Sequence, residues 1–116
     1  MEIQQRQSGS VAFVDVDGRL VLGFEDRLKD CVNSLLFQGH RNIVLNLRGV
    51  TQVDTSGLAT ITSVRGTAEK HAGRIKLLNL PKRVHDLLII TRLITLFEVF
   101  DSEENAVRSF DQPPNA

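Results

Sequence analysis

A chain of 116 residues with 41% apolar content suits one compact domain with a core of its own. Fourteen basic and 14 acidic residues give a formal net charge of zero, which leaves no basic field for nucleic acid or an anionic membrane. The single cysteine excludes an intramolecular disulfide. The opening MEIQQRQSGS is too polar for a signal peptide, and no apolar run reaches the roughly 18 residues that a membrane span needs. A cytoplasmic protein without membrane insertion is therefore expected.

In chain order, Ile3–Gln7 reads as a weak strand, joined through Ser8–Ser10 as a hairpin to Val11–Val16 (VAFVDV), a stronger one. Asp17–Gly18 reads as the turn that ends it. Phe24, Leu28, Cys31, Val32, Leu35 and Leu36 recur at helical spacing, which predicts an amphipathic helix over Phe24–Gln38, stopped by Gly39. Ile43–Leu47 (IVLNL) is a mostly apolar run and reads as a central strand. Leu58, Ile61, Val64 and Ala68 mark the inner face of a second helix, ending near His71 before Gly73. Ile75–Leu78 is a further strand. Pro81 opens a third helix whose inner face is Val84, Leu87, Leu88 and Thr91. Leu96–Phe100 reads as the last strand. Asp101–Ser102 then cap a short helix with Glu103 and Glu104 in its first turn and Ala106, Val107 and Phe110 turned to the core.

The order is ββαβαβαβα. Strand–helix alternation of this kind predicts an α/β domain over residues 1–110, with a mostly parallel mixed sheet, packed helices and an antiparallel hairpin at one edge. The polar, double-proline segment 111–116 (DQPPNA) is expected to be a flexible tail.

In open sheets of this class, sites gather at the carboxyl ends of strands. One junction of that type, Val50–Leu58 (VTQVDTSGL), brings a carboxylate and two hydroxyls, Asp54, Thr55 and Ser56, to a helix start. The plain reading is an N-cap. A helix start also presents outward N–H groups and the positive end of the macrodipole, so a phosphate carried there is tolerated. Two enzymatic readings fit poorly. An aspartic protease turn would place Gly directly after Thr55, whereas Ser56 intervenes, and the flanks read as strand and helix rather than all-β. A serine nucleophile needs a placed base, and neither GxSxG nor a suitably spaced histidine is present. His40, His71 and His85 lack ligand spacing with one another or with Cys31, which reads as a small core residue. No Walker loop or GxGxxG occurs, and Gly18 and Gly23 read as backbone punctuation. No metal and no cofactor is expected.

The segment Leu45–Leu58 (LNLRGVTQVDTSGL) resembles the signature of STAS domains, typified by bacterial anti-sigma factor antagonists: an apolar strand, a short turn, then Asp, two hydroxyl residues, Gly and Leu. Lys76–Leu80 (KLLNL), Val84–Leu88 with Thr91, and the ending LFEVFDSEENAVRSF are similar too, so the likeness runs over about residues 3–110. The resemblance implies a STAS-like single domain that binds and is modified, with no catalytic turnover of its own. It implies an anti-sigma factor partner with a histidine-kinase-like ATPase fold. The unphosphorylated antagonist binds this partner and frees a sigma factor; phosphorylation of the hydroxyl after the Asp reverses binding, and a phosphatase resets it. By position the acceptor is Thr55, where many relatives have Ser, and Asp54, Thr55, Ser56, Gly57 and Leu58 form the partner-binding segment. The rest of that face is expected from the turn after Val11–Val16 and the Leu20–Asp26 segment, with Arg19 and Arg65 as weaker candidates. Asp54 is left with two roles, capping the helix or orienting the Thr55 hydroxyl. A second branch of the family, the small STAS subunit of bacterial lipid-transport ABC systems that docks on its ATPase, shares the VDT run and is the alternative.

Overall fold

The computed structural model describes residues 1–111. Its elements are β1 (Glu2–Ser8), β2 (Val11–Leu20), α1 (Glu25–Phe37), β3 (Asn42–Val53), α2 (Thr55–Lys70), β4 (Arg74–Leu78), α3 (Lys82–Ile90), a single 3₁₀ turn (Leu93–Leu96), β5 (Val99–Phe100) and α4 (Glu103–Ser109). The order is the expected ββαβαβαβα. Apart from Asp111, the segment 111–116 lies outside the described residues.

The five strands lie in chain order, β1-β2-β3-β4-β5; β1 is antiparallel to β2 and the other pairs are parallel. Three successive crossovers step in one direction across the sheet. Right-handed crossovers of that kind put their helices on one face. Accordingly α1, α2 and α3 share a core with the strand residues Ala12, Val14, Val16, Ile43, Leu45 and Leu47. Alternation sends Val11, Phe13 and Val44 to the other face, where α4 covers them with Ala106 and Phe110. Both faces of β2 and β3 are thus covered at their amino-terminal ends, which is why VAFV and IVL read as continuous apolar runs.

The strands differ from expectation at their carboxyl ends. Asp17–Gly18 is not a turn. Gly18 adopts φ +97° inside β2, and the register with β3 slips on either side of the Asp17–Gly18 pair, so the chain spends its turn-forming dipeptide on a bulged stretch and continues to Leu20. β3 likewise runs past Leu47 to Val53, although β4 pairs with it only from Asn42 to Asn46. Polar Arg48, Thr51 and Gln52 interrupt the apolar pattern there because this stretch is paired on one side only. Leu96 belongs to the 3₁₀ turn rather than the last strand, which keeps only Val99–Phe100. Helix ends follow expectation closely. Gly39 takes φ +99° after α1. After α2 the left-handed residue is Ala72 (φ +60°), while Gly73 is selected for close approach, since a Cβ there would sit 3.0 Å from the Arg41 carbonyl oxygen.

Candidate functional site

The extension of β2 and β3 beyond β4 carries the site. Their paired ends, Leu20↔Val53, bring the start of α2 against the chain leaving β2. Asp54, extended at φ −125° and ψ −176°, is the N-cap: its Oδ1 accepts from Gly57 N at 2.9 Å, and its backbone oxygen accepts the first helical bond, from Leu58 N at 3.1 Å. Its Oδ2 accepts from Leu22 N at 3.0 Å, which ties the segment after β2 to the same carboxylate. Backbone N–H donors from Leu22 and then Gly57 hold the Asp54 carboxyl below the usual carboxylate range. Of the two roles open to Asp54, capping is the one its hydrogen bonds perform; none of them goes to a hydroxyl.

Gly57 makes this junction possible. A Cβ at Gly57 would lie 2.1 Å from the Leu20 carbonyl oxygen, so only glycine lets the first turn of α2 approach the end of β2. Leu58, 2% exposed, anchors that turn in the core with Ile61 and Val64. Gly57 and Leu58 therefore lie beneath the surface that the resemblance assigned to partner binding. Thr55 is exposed on that surface, and Asp54 and Ser56 are half-buried at its margin.

The hydroxyls of α2 fall into two groups. Thr60, Thr62 and Thr67 donate to the carbonyls of Ser56, Leu58 and Ser63 at 2.9, 3.0 and 3.1 Å. Among the described residues nothing hydrogen-bonds the Thr55 side chain. Its hydroxyl is uncommitted, faces solvent and sits at the positive end of the α2 macrodipole.

The surroundings are part expected and part not. Arg19 lies at the end of β2 and donates from Nε to Gln52 Oε1 at 3.0 Å, close to the junction. Arg65 does not join it: ten residues along α2, about 15 Å at the helical rise, it pairs with Glu69 at 3.0 Å and covers the Phe97 ring. The turn expected after Val16 does not exist, so that part of the face is strand. Leu22 was covered only by the expected Leu20–Asp26 stretch. It is 71% exposed, while its backbone is fixed by Asp54. As the last residue of the apolar run Leu20–Val21–Leu22, it carries no sequence signal that separates it from the two buried residues before it. Cys31 is half-buried, and burial pushes its thiol up, partly offset by a hydrogen bond from Gln5. No group of His, Cys, Asp and Glu suited to a metal ion occurs among the described residues. None of their helices is long and apolar enough to cross a membrane.

Residues 2–106 match the family model of the STAS domain. The chain belongs to the STAS domain family. Among curated proteins none matches it. A candidate anti-sigma factor antagonist from Thermotoga maritima superposes with a TM-score of 0.87 at 19% identity, covering 95% of each chain. The Bacillus cell fate determinant SpoIIAA in its phosphorylated form gives 0.73 at 20% identity, covering 94% of this chain and 99% of that one. A sulfate transporter family protein from Wolinella succinogenes gives 0.75 at 21% identity, covering 86% and 84%. At these identities the likeness is one of fold.

Proposed function

We propose that this chain is an anti-sigma factor antagonist, a partner-switching module with no turnover of its own, whose acceptor is Thr55. The observation that carries the reading is the division of labour in DTSGL. Asp54, Gly57 and Leu58 build and hold the helix start, and Thr55 is left exposed with an uncommitted hydroxyl. The antagonist structures of the same fold, one of them a phosphorylated form, support the reading.

The unphosphorylated surface of Asp54, Thr55 and Ser56, with Leu22 beside it, docks on an anti-sigma factor of histidine-kinase-like ATPase fold and displaces a sigma factor. Phosphorylation adds roughly −1.5 to −2 charge at Thr55. The N–H groups and dipole of the helix start accommodate the charge, while an interface that had covered a neutral hydroxyl must now exclude a hydrated anion. A phosphatase restores the binding form. The test is incubation with ATP and co-encoded histidine-kinase-like ATPases, followed by mapping of phosphate by mass spectrometry. Label on Thr55 is expected. Stable binding to an ABC ATPase, with no label and no binding to the kinase-like partners, would transfer the chain to the lipid-transport branch.

A further inference from the structure

The chain leaving β2 makes a tight turn before α1. Phe24 N donates to the Val21 carbonyl at 3.1 Å. Gly23, third in the turn, takes φ +100°, the left-handed position that a type II turn reserves for glycine. Leu22 is the second residue of this turn. The turn's own hydrogen bond does not use the Leu22 N–H, and Asp54 Oδ2 accepts from it at 3.0 Å. The two residues before it, Leu20 and Val21, are buried in the core. The backbone of Leu22 is therefore fixed, yet the residue is 71% exposed.

An exposed leucine is ordinary in itself. This one is set apart by its place and by what holds it. Phe37 and Ile90 are also exposed, but they end α1 and α3, which run back from the carboxyl ends of the strands toward the amino ends. Leu22 stays at the carboxyl ends. It stands two residues past Leu20, as Thr55 stands two past Val53, and Leu20 and Val53 are paired neighbours in β2 and β3. One carboxylate clamps both segments: Oδ1 caps α2 through Gly57 N at 2.9 Å, and Oδ2 holds the Leu22 turn. Capping alone does not call for the second oxygen, since α4 is capped by the single side-chain oxygen of Ser102.

Resting on the antagonist reading above, we propose that Asp54 is a positioning residue that holds Leu22 as the apolar anchor of partner binding, and that the anti-sigma factor offers an apolar pocket to this side chain. A leucine held in place before contact loses little freedom on binding, so its burial counts nearly in full. The same leucine on a loose turn would lose part of that gain to ordering. The anchor and the acceptor are thus set by one side chain, and phosphate on Thr55 brings a hydrated anion to the end of the sheet where the apolar contact is made.

Amide hydrogen exchange and calorimetric titration test the clamp and the anchor separately. Asp54→Ser keeps one oxygen for the cap and removes the one that holds Leu22. In this variant the Leu22 amide is expected to exchange at least about 10-fold faster than in the wild type, while the Gly57 amide stays protected. Against the co-encoded histidine-kinase-like ATPase, Leu22→Ala is expected to bind at least about 10-fold more weakly and Leu22→Met close to wild type. Asp54→Ser is expected to add little once Leu22 is alanine, because it acts through that side chain. Leu22 exchange unchanged by Asp54→Ser would overturn the clamp. Full affinity in Leu22→Ala, or losses that multiply in the double variant, would overturn the anchor. If Asp54→Ser fails to fold, free exchange of the wild-type Leu22 amide overturns the clamp, and Leu22→Ala, changed only at an exposed side chain, still decides the anchor. A wild type that binds no such partner brings down the antagonist reading and the anchor with it, while exchange, measured on this chain alone, still decides the clamp.

Discussion

Thr55 and Ser56 are adjacent hydroxyls that differ in what surrounds them. Thr55 is exposed, while Ser56 is half-buried and its carbonyl accepts from Thr60. We expect Thr55→Ala to abolish labelling by the cognate kinase while partner binding persists, and Ser56→Ala to leave labelling intact. Mass spectrometry of both variants checks this, and label on Ser56 alone would refute the assignment. Asp54 makes a separate prediction. Its carboxyl is held below the ordinary range in the folded state, so the stability it contributes is fully present above the unfolded carboxylate pKa, about 3.9, and is lost as pH falls through the lower folded value. Asp54→Ala should therefore lower the melting temperature at neutral pH, and the gap from wild type should narrow as the buffer is taken below about pH 4. Thermal melts across pH 2–7 read this directly, and a gap that widens toward acid would contradict the capping role.

At the scale of elements, two glycines of α2 respond oppositely to one extra methyl. At Gly57 the added Cβ meets the Leu20 carbonyl 2.1 Å away, and backbone on both sides leaves nothing soft to yield. Gly57→Ala should destabilise by about 1–3 kcal/mol or more, with lost partner binding as the turn is pushed off β2. At Gly66 nothing lies within 4 Å of the built Cβ and the backbone is helical, so Gly66→Ala should stabilise by about 0.5–1 kcal/mol. Urea unfolding of the two variants separates the cases, and equal signs would show that the approach of α2 to β2 is not tight. The contrast also marks what the sequence could convey. Helices declared themselves by periodicity and by caps such as Ser102, whose side chain accepts from Asn105 N. Strand ends did not. Asp17–Gly18 has the composition of a turn, and only the partner strand, which carries an extra residue on either side of it, decides that the chain runs on as β2. The polar end of β3 is hidden for the same reason: its pairing depends on a neighbour distant in sequence.

At the scale of the whole molecule, DTSGL could be read because its spacing carries a local mechanism, the cap and the glycine. Leu22 could not, since its place beside Asp54 follows from a hydrogen bond to a carboxylate 32 residues away. Arg65 is set apart by the helix itself, since ten residues at the helical rise put it about 15 Å along α2 from Thr55. The domain is organised so that modification need not reach the core: Leu58, Ile61 and Val64 are already packed, and Thr55 stands outside them. The phosphorylated and unphosphorylated forms should therefore melt within a few degrees of each other, as differential scanning calorimetry will read. The most direct test of the switch is calorimetric titration of both forms against the same histidine-kinase-like ATPase. Phosphate on Thr55 should weaken binding at least about 10-fold, or about 1.4 kcal/mol. Equal affinities for the two forms would contradict it.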